Sequence, residues 1–184
     1  MHMRPFLRRA LQGAGTAGLA VALSSTPAAA GEGTRLANGA GPTSGLCMSV
    51  TNSGRGTSVE MEGCTLNAHQ GWVHQDDPYG SWIKLVSQDP EAAGRCLTTH
   101  GEGIRVTMDR CSTEPDTSLY DRQLWRRTAT STTGWYQYQS AYWINGTRQC
   151  LDVRDNGRSK VVQIWLCGPT VPPGLKGNQL WKYF

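Results

Sequence analysis

Gln179-Leu180-Trp181 ends a segment that opens at Cys150 and passes through Cys167, and that order of residues decides how the chain is read. It occurs twice more: Cys47 and Cys64 precede Gln70-Gly71-Trp72, and Cys96 and Cys111 precede Gln123-Leu124-Trp125. The three glutamines stand 53 and 56 positions apart. A single Gln-x-Trp triplet carries no information, but three in register with three cysteine pairs mark an internal repeat. Its units run approximately over 33–75, 76–128 and 129–184.

Between these marks the chain is poor in helix signals. It holds 22 glycines and nine prolines, and no stretch keeps an apolar period of about 3.6 residues over several turns. Short strand-like runs bounded by Gly, Asn, Asp or Pro stand out instead: Trp82–Val86, Ile104–Val106, Tyr142–Ile144 and Lys160–Trp165. The chain therefore reads as all-β. A strand-built unit of about 50 residues, present three times, predicts a closed β-trefoil in which each unit's apolar face is completed by the other two. A propeller would need about four blades or more.

An indole at one equivalent place per repeat supplies much of each unit's buried area, so Trp72, Trp125 and Trp181 are expected in the core. Gln70, Gln123 and Gln179 are expected to satisfy buried backbone groups beside them. Six cysteines allow many pairings. Because each cysteine pair brackets two short strands of one repeat, the expected bridges are Cys47 with Cys64, Cys96 with Cys111, and Cys150 with Cys167. Closing loops of this size stabilises by about 3 kcal/mol each in the chain-entropy account. The alternative, a metal site, lacks any C-x-x-C pair and any histidine at zinc-ligand spacing, so no metal or cofactor is expected.

The first 30 residues read as a secretory signal peptide: Arg4, Arg8 and Arg9, an apolar stretch from Ala10 to Leu23, and an exit at Ala28-Ala29-Ala30. Arg8-Arg9 admits a twin-arginine route as well as the ordinary one. The remaining domain, residues 31–184, is expected to be secreted and extracellular, where disulfides form. The signal carries three of the 18 basic residues and none of the 14 acidic ones, so +4 falls to +1 without it. A near-neutral chain has no electrostatic footprint for nucleic acid. No later stretch has the roughly 18 apolar residues of a membrane span.

The last repeat carries a recognisable pattern. Cys150-Leu151-Asp152-Val153-Arg154-Asp155, then Val162-Gln163-Ile164-Trp165-Leu166-Cys167 and Asn178-Gln179-Leu180-Trp181, resembles the ricin B-type lectin repeat over about residues 33–184. The resemblance implies a shallow pocket for a galactose-type sugar built from Asp152, Gln163, Trp165 and Asn178. The residue types suit that task. A sugar presents a C–H face and a rim of hydroxyls, so it needs one flat apolar surface and a few fixed donors and acceptors. Trp165 offers the surface, Asp152 accepts from hydroxyls, Asn178 donates and accepts, and Gln163 orients Asp152 or touches the ring's rim. At the same positions the first repeat has Ser49, Glu62 and His69, and the second Thr98, Asp109 and Arg122, with no stacking surface. One carbohydrate site is expected, for galactose, N-acetylgalactosamine or a polysaccharide. The rim loops 155–163 and 168–177 differ in length from the family's usual ones.

Two other functional classes have weaker support in the sequence. An enzyme lacks support: there is no G-x-S-x-G, H-E-x-x-H or glycine-rich phosphate loop. Asp76-Asp77 sits in a turn-like stretch, and His69 and His74 have no nucleophile partner. A protein-binding trefoil, such as a toxin's receptor-binding subunit, draws on the aromatic stretch from Trp135 to Trp143, which strand alternation would half expose or a twisted ribbon would bury. Asn145-Gly146-Thr147 has the form of a glycosylation acceptor and is read as accidental, because the alanine-rich leader looks bacterial.

Overall fold

The computed structural model describes residues 34–51, 58–115, 117–168 and 177–183. The leader 1–30 and most of the loop 168–177 lie outside the described residues. Twelve strands are described: β1 (Leu36–Asn38), β2 (Leu46–Thr51), β3 (Ser58–Gly63), β4 (Trp72–Asp76), β5 (Ile83–Ser87) and β6 (Arg95–Thr98), then β7 (Thr107–Arg110), β8 (Trp125–Ala129), β9 (Trp135–Ser140), β10 (Gln149–Val153), β11 (Val162–Leu166) and β12 (Trp181–Tyr183). Pairing runs β1-β2-β3-β7-β6-β5-β8-β9-β12 and returns to β1, so nine described strands close into a barrel with no free edge. The β10–β11 hairpin hangs from β9, and β4 from β5.

The hairpins β2–β3, β6–β7 and β10–β11 are built alike. Each is tied by a disulfide, Cys47–Cys64, Cys96–Cys111 and Cys150–Cys167, with Cα atoms 4.9, 5.0 and 4.9 Å apart. These are the bridges that the repeat predicts. The residue opposite the first cysteine is Glu62, Asp109 or Trp165. The buried indoles of Trp72, Trp125 and Trp181 each donate Nε1–H to the carbonyl just past that cysteine: Met48 at 2.9 Å, Leu97 at 3.1 Å and Leu151 at 3.0 Å. A buried indole nitrogen needs such an acceptor, and the hairpin backbone supplies it without a further side chain.

The glutamines complete the junction. Gln70 accepts from Thr65 N–H at 2.6 Å and donates to the Gly63 carbonyl at 2.8 Å. Gln123 accepts from Ser112 N–H at 2.8 Å and donates to Arg110 at 2.9 Å, and Gln179 accepts from Gly168 N–H at 2.7 Å and donates to Leu166 at 2.9 Å. Each amide thus clasps the backbone at the hairpin's disulfide end. Replacing one by alanine would orphan two buried backbone groups at about 1–3 kcal/mol apiece.

Two of the four strand-like runs hold, as β5 and β11. Ile104–Val106 is not a strand: positive φ at Gly101 and Gly103 bends the chain there, and Ile104 is exposed. The strand begins instead at Thr107. Tyr142–Ile144 is not a strand: it leads into a two-residue turn at Asn145 and Gly146, both at positive φ, with Ile144 bridged to Thr147. Of the aromatic stretch, Tyr138 is buried, Trp135, Tyr136 and Tyr142 are half-buried, and only Trp143 is exposed. The ribbon therefore buries most of these rings.

Candidate functional site

A cleft of about 400 Å³ lies on the β10–β11 hairpin, and all four expected residues, Asp152, Gln163, Trp165 and Asn178, line it. Asp152 and Gln163 are directly opposed on the two strands, and Trp165 stands opposite Cys150 two residues along. Asn178 arrives from the short 3-10 turn before β12, whose backbone is tied to β1 by Asn38 Nδ2 donating to the Asn178 carbonyl at 3.0 Å.

Asp152 is the hub. Its carboxylate accepts from Gln163 Nε2 at 3.0 Å, Asn178 Nδ2 at 2.6 Å and Gln179 Nε2 at 3.1 Å. Three amides aimed at one buried carboxylate fix its rotamer and supply its oxygens with donors. Asn178 spends its other N–H on the Val153 carbonyl at 3.2 Å, so its Oδ1 is an acceptor without a hydrogen bond among the described residues. Beside this polar wall, Trp165 is 42% exposed. An indole left that open on a strand face forfeits burial worth about 1.5–3 kcal/mol, which points to a task other than stability.

Four further residues line the cleft: Gly103, Arg154, Asp155 and Asn156. Arg154 donates Nε–H to Gln163 Oε1 at 2.8 Å and Nη2–H to the Gly103 carbonyl at 2.6 Å. It thereby orients Gln163, which orients Asp152, and pins the loop between β6 and β7 against the β10–β11 hairpin. That loop runs beside β11 through bridges Glu102 to Ile164 and Arg105 to Gln163, with Gly103 N–H donating to the Ile164 carbonyl at 2.9 Å. Asp155, Asn156 and Gly157 take φ of 56°, 54° and 80°, a left-handed turn that Asp and Asn tolerate best among side-chain-bearing residues. Glycine is required at 157, since a Cβ would come 2.2 Å from Ala40 Cβ.

The equivalent positions elsewhere form no comparable polar wall. Ser49 and Thr98 are buried opposite Glu60 and Thr107. His69 lies 2.7 Å from Asp89, a hydrogen bond that raises its pKa, and His100 lies 3.3 Å from Asp109. Arg122 stacks on Tyr142, 4.7 Å from the ring centroid. Neither position opposite the first cysteine, Glu62 or Asp109, offers a flat apolar face. Among the described residues, no group of three or more His, Cys, Asp or Glu side chains is placed to hold a metal ion, and no helix is long and apolar enough to cross a membrane.

Sequence reasoning reached the cleft's polar wall and its indole but missed Arg154 and Gly103. Arg154 was in view, directly after the Asp-Val pair, without a role. The glycines at 101 and 103 were the only signal for the docked loop.

With that geometry established, the fold class can be placed by comparison. Neither a protein-family model nor a curated protein sequence matches the chain. Solved structures do resemble it. A ricin B-like lectin from Macrolepiota procera, solved in complex with lactose, superposes with a TM-score of 0.59 at 15% identity, over 82% of this chain and 92% of its own. A mosquitocidal holotoxin gives 0.63 at 14% identity over 82% of this chain, and the hemolytic lectin CEL-III gives 0.58 at 23% identity over 82%. This chain spans 16% of that toxin's length and 29% of CEL-III's, so it corresponds to one part of each. The likeness is one of fold, and the fold is that of ricin B-like lectins.

Proposed function

We propose that this protein is a secreted, non-catalytic β-trefoil lectin with three repeats and one galactose-type sugar site, in the third. The observation that carries the reading is Trp165, an open indole fixed beside a carboxylate that three amides hold in place. A pyranose laid on Trp165 turns its C–H face to the indole and its hydroxyl rim to Asp152 and Asn178. Such a site separates epimers, because inverting one hydroxyl leaves a buried acceptor or donor unpaired. The threefold reading draws support from the matched Trp-to-carbonyl bonds and Gln clasps of the three hairpins. Repeats one and two then serve as scaffold.

A single shallow site binds a monosaccharide in the range of about 0.1–10 mM, so useful avidity comes from dense glycans or from linked copies. A glycan array with residues 31–184 tests the reading. Galactose-terminated glycans give signal with the native sequence and lose it with Trp165→Ala. Signal that survives that substitution overturns the site, and its complete absence with the native protein overturns the sugar-binding reading.

A further inference from the structure

The face of the β10–β11 hairpin that carries Asp152 continues past the cleft. Side chains alternate along a strand, so Asp152, Cys150 and Arg148 share one face, and Trp165, paired with Cys150, stands on it as well. Arg148 keeps the register of the ladder, its carbonyl accepting from Cys167 N–H at 3.2 Å. Four residues of strand at roughly 3.4 Å each put Arg148 about 14 Å from Asp152. That track is longer than one sugar ring.

At its far end the Arg148 guanidinium lies 5.7 Å from the centroid of the Trp143 ring, and Trp143 is 54% exposed. The tight turn at Asn145-Gly146 holds Trp143 beside the strand. The core has no use for this ring, since β9 already buries Tyr138 and half-buries Trp135 and Tyr136. Arg148 is exposed, and among the described residues none of the ion pairs involves it. The chain thus sets an exposed indole, and over it a fork of N–H donors that makes no ion pair among the described residues, in line with the cleft. A guanidinium matches a carboxylate in two parallel hydrogen bonds, while the ring beneath takes a sugar's C–H face.

We infer that the cleft is one end of an extended glycan site, in which the chain held at Trp165 crosses the Cys150–Cys167 bridge and places a carboxylate-bearing sugar at Arg148 and Trp143. The inference rests on reading the cleft as a sugar site. It names an acidic oligosaccharide, rather than a terminal neutral sugar, as the preferred ligand.

Calorimetric titration of residues 31–184 with lactose, the two sialyllactose linkage isomers and the neutral fucosyllactoses tests it. One acidic isomer binds about tenfold more tightly than lactose and than either neutral trisaccharide, and added salt shrinks that gap. Arg148→Ala and Trp143→Ala remove the gap and leave lactose affinity within about twofold, while Trp165→Ala weakens every ligand. Equal binding of acidic and neutral trisaccharides overturns the extension, as does a gap that survives Arg148→Ala. Acidic binding that persists in Trp165→Ala shows two separate sites and also overturns it. Failure of lactose to bind the native protein is a different result, which strikes the cleft reading first and the extension with it.

Discussion

Gly103 lies against the ring of Trp165 so closely that a Cβ there would come 3.1 Å from Cζ3, at a φ of +70°. The loop before β7 thus backs the indole of β11 with bare backbone. Gly103→Ala meets two penalties: a left-handed conformation costing about 1–2 kcal/mol, and a methyl that tilts the ring. The expected outcome is a modest fall in the melting temperature with a larger proportional loss of galactose affinity. Gly94→Ala, at φ +72° with open space around it, is the control. It shares the conformational cost and leaves affinity unchanged. Thermal melts and sugar titrations of the two variants check this, and equal affinities in both would remove Gly103 from the site.

Asp152→Asn keeps the shape of the side chain but sets one carbonyl oxygen against three amide donors. At least one of Gln163, Asn178 and Gln179 then points an N–H at another N–H in a buried setting. The expected loss is about 1–3 kcal/mol of stability, together with the loss of detectable lactose binding. Denaturant unfolding and titration of the same preparation measure both. Binding that survives the substitution would falsify the role given to this carboxylate.

Much of this architecture was legible before any coordinates. Cysteine order and Gln-x-Trp register contain the hairpin pairing because one backbone solution recurs three times, and each recurrence repeats its side chains. Asp152, Gln163, Trp165 and Asn178 were legible for the related reason that one hairpin and one following turn carry them all. The docked loop was not. Gly103 reaches Trp165 by a contact between segments far apart in sequence, and nothing local in Gly101-Glu102-Gly103 says which strand it will meet. The run Ile104–Val106 misled because three apolar-flanked residues fit a strand or a crossing loop equally well.

Arg154→Lys separates positioning from sugar contact. Lysine keeps the charge, but one ammonium cannot reproduce the fork that reaches Gln163 and Gly103 together. With Gln163 released, Asp152 loses its orienting chain, and lactose binding weakens by about fivefold, equivalent to about 1 kcal/mol. Arg158→Lys, at an exposed position in the same turn, leaves binding unchanged. Equal effects from the two substitutions would reduce Arg154 to a surface charge. An unchanged pH profile of binding in Arg154→Lys distinguishes lost positioning from a shifted titration.

His74, Arg127 and Tyr183 each stand two residues past a repeat tryptophan, and they meet at one end of the barrel. Tyr183 Oη lies 3.3 Å from His74 Nδ1 and accepts from Arg127 Nη1 at 3.0 Å, and Tyr138 Oη lies 3.1 Å from His74 Nε2. Burial first, and then the charge of Arg127, lower the His74 pKa to about 4, with Asp76 opposing weakly. The unfolded chain takes up its proton near 6.5, so between those values the unfolded state binds more protons than the folded one. Stability from this group is complete above about pH 6.5, falls as pH drops toward 4, and levels off below. The full span is about 2–3 kcal/mol. His69 works in the opposite direction, since its raised pKa gives stability that is lost as pH rises past it. Chemical denaturation between pH 6.5 and 4 should therefore show a decline that His74→Gln flattens, whereas His69→Gln leaves that window unchanged and removes a loss of stability above pH 6.5. A slope unchanged by His74→Gln would mean that the barrel end stays open enough to hydrate the imidazolium.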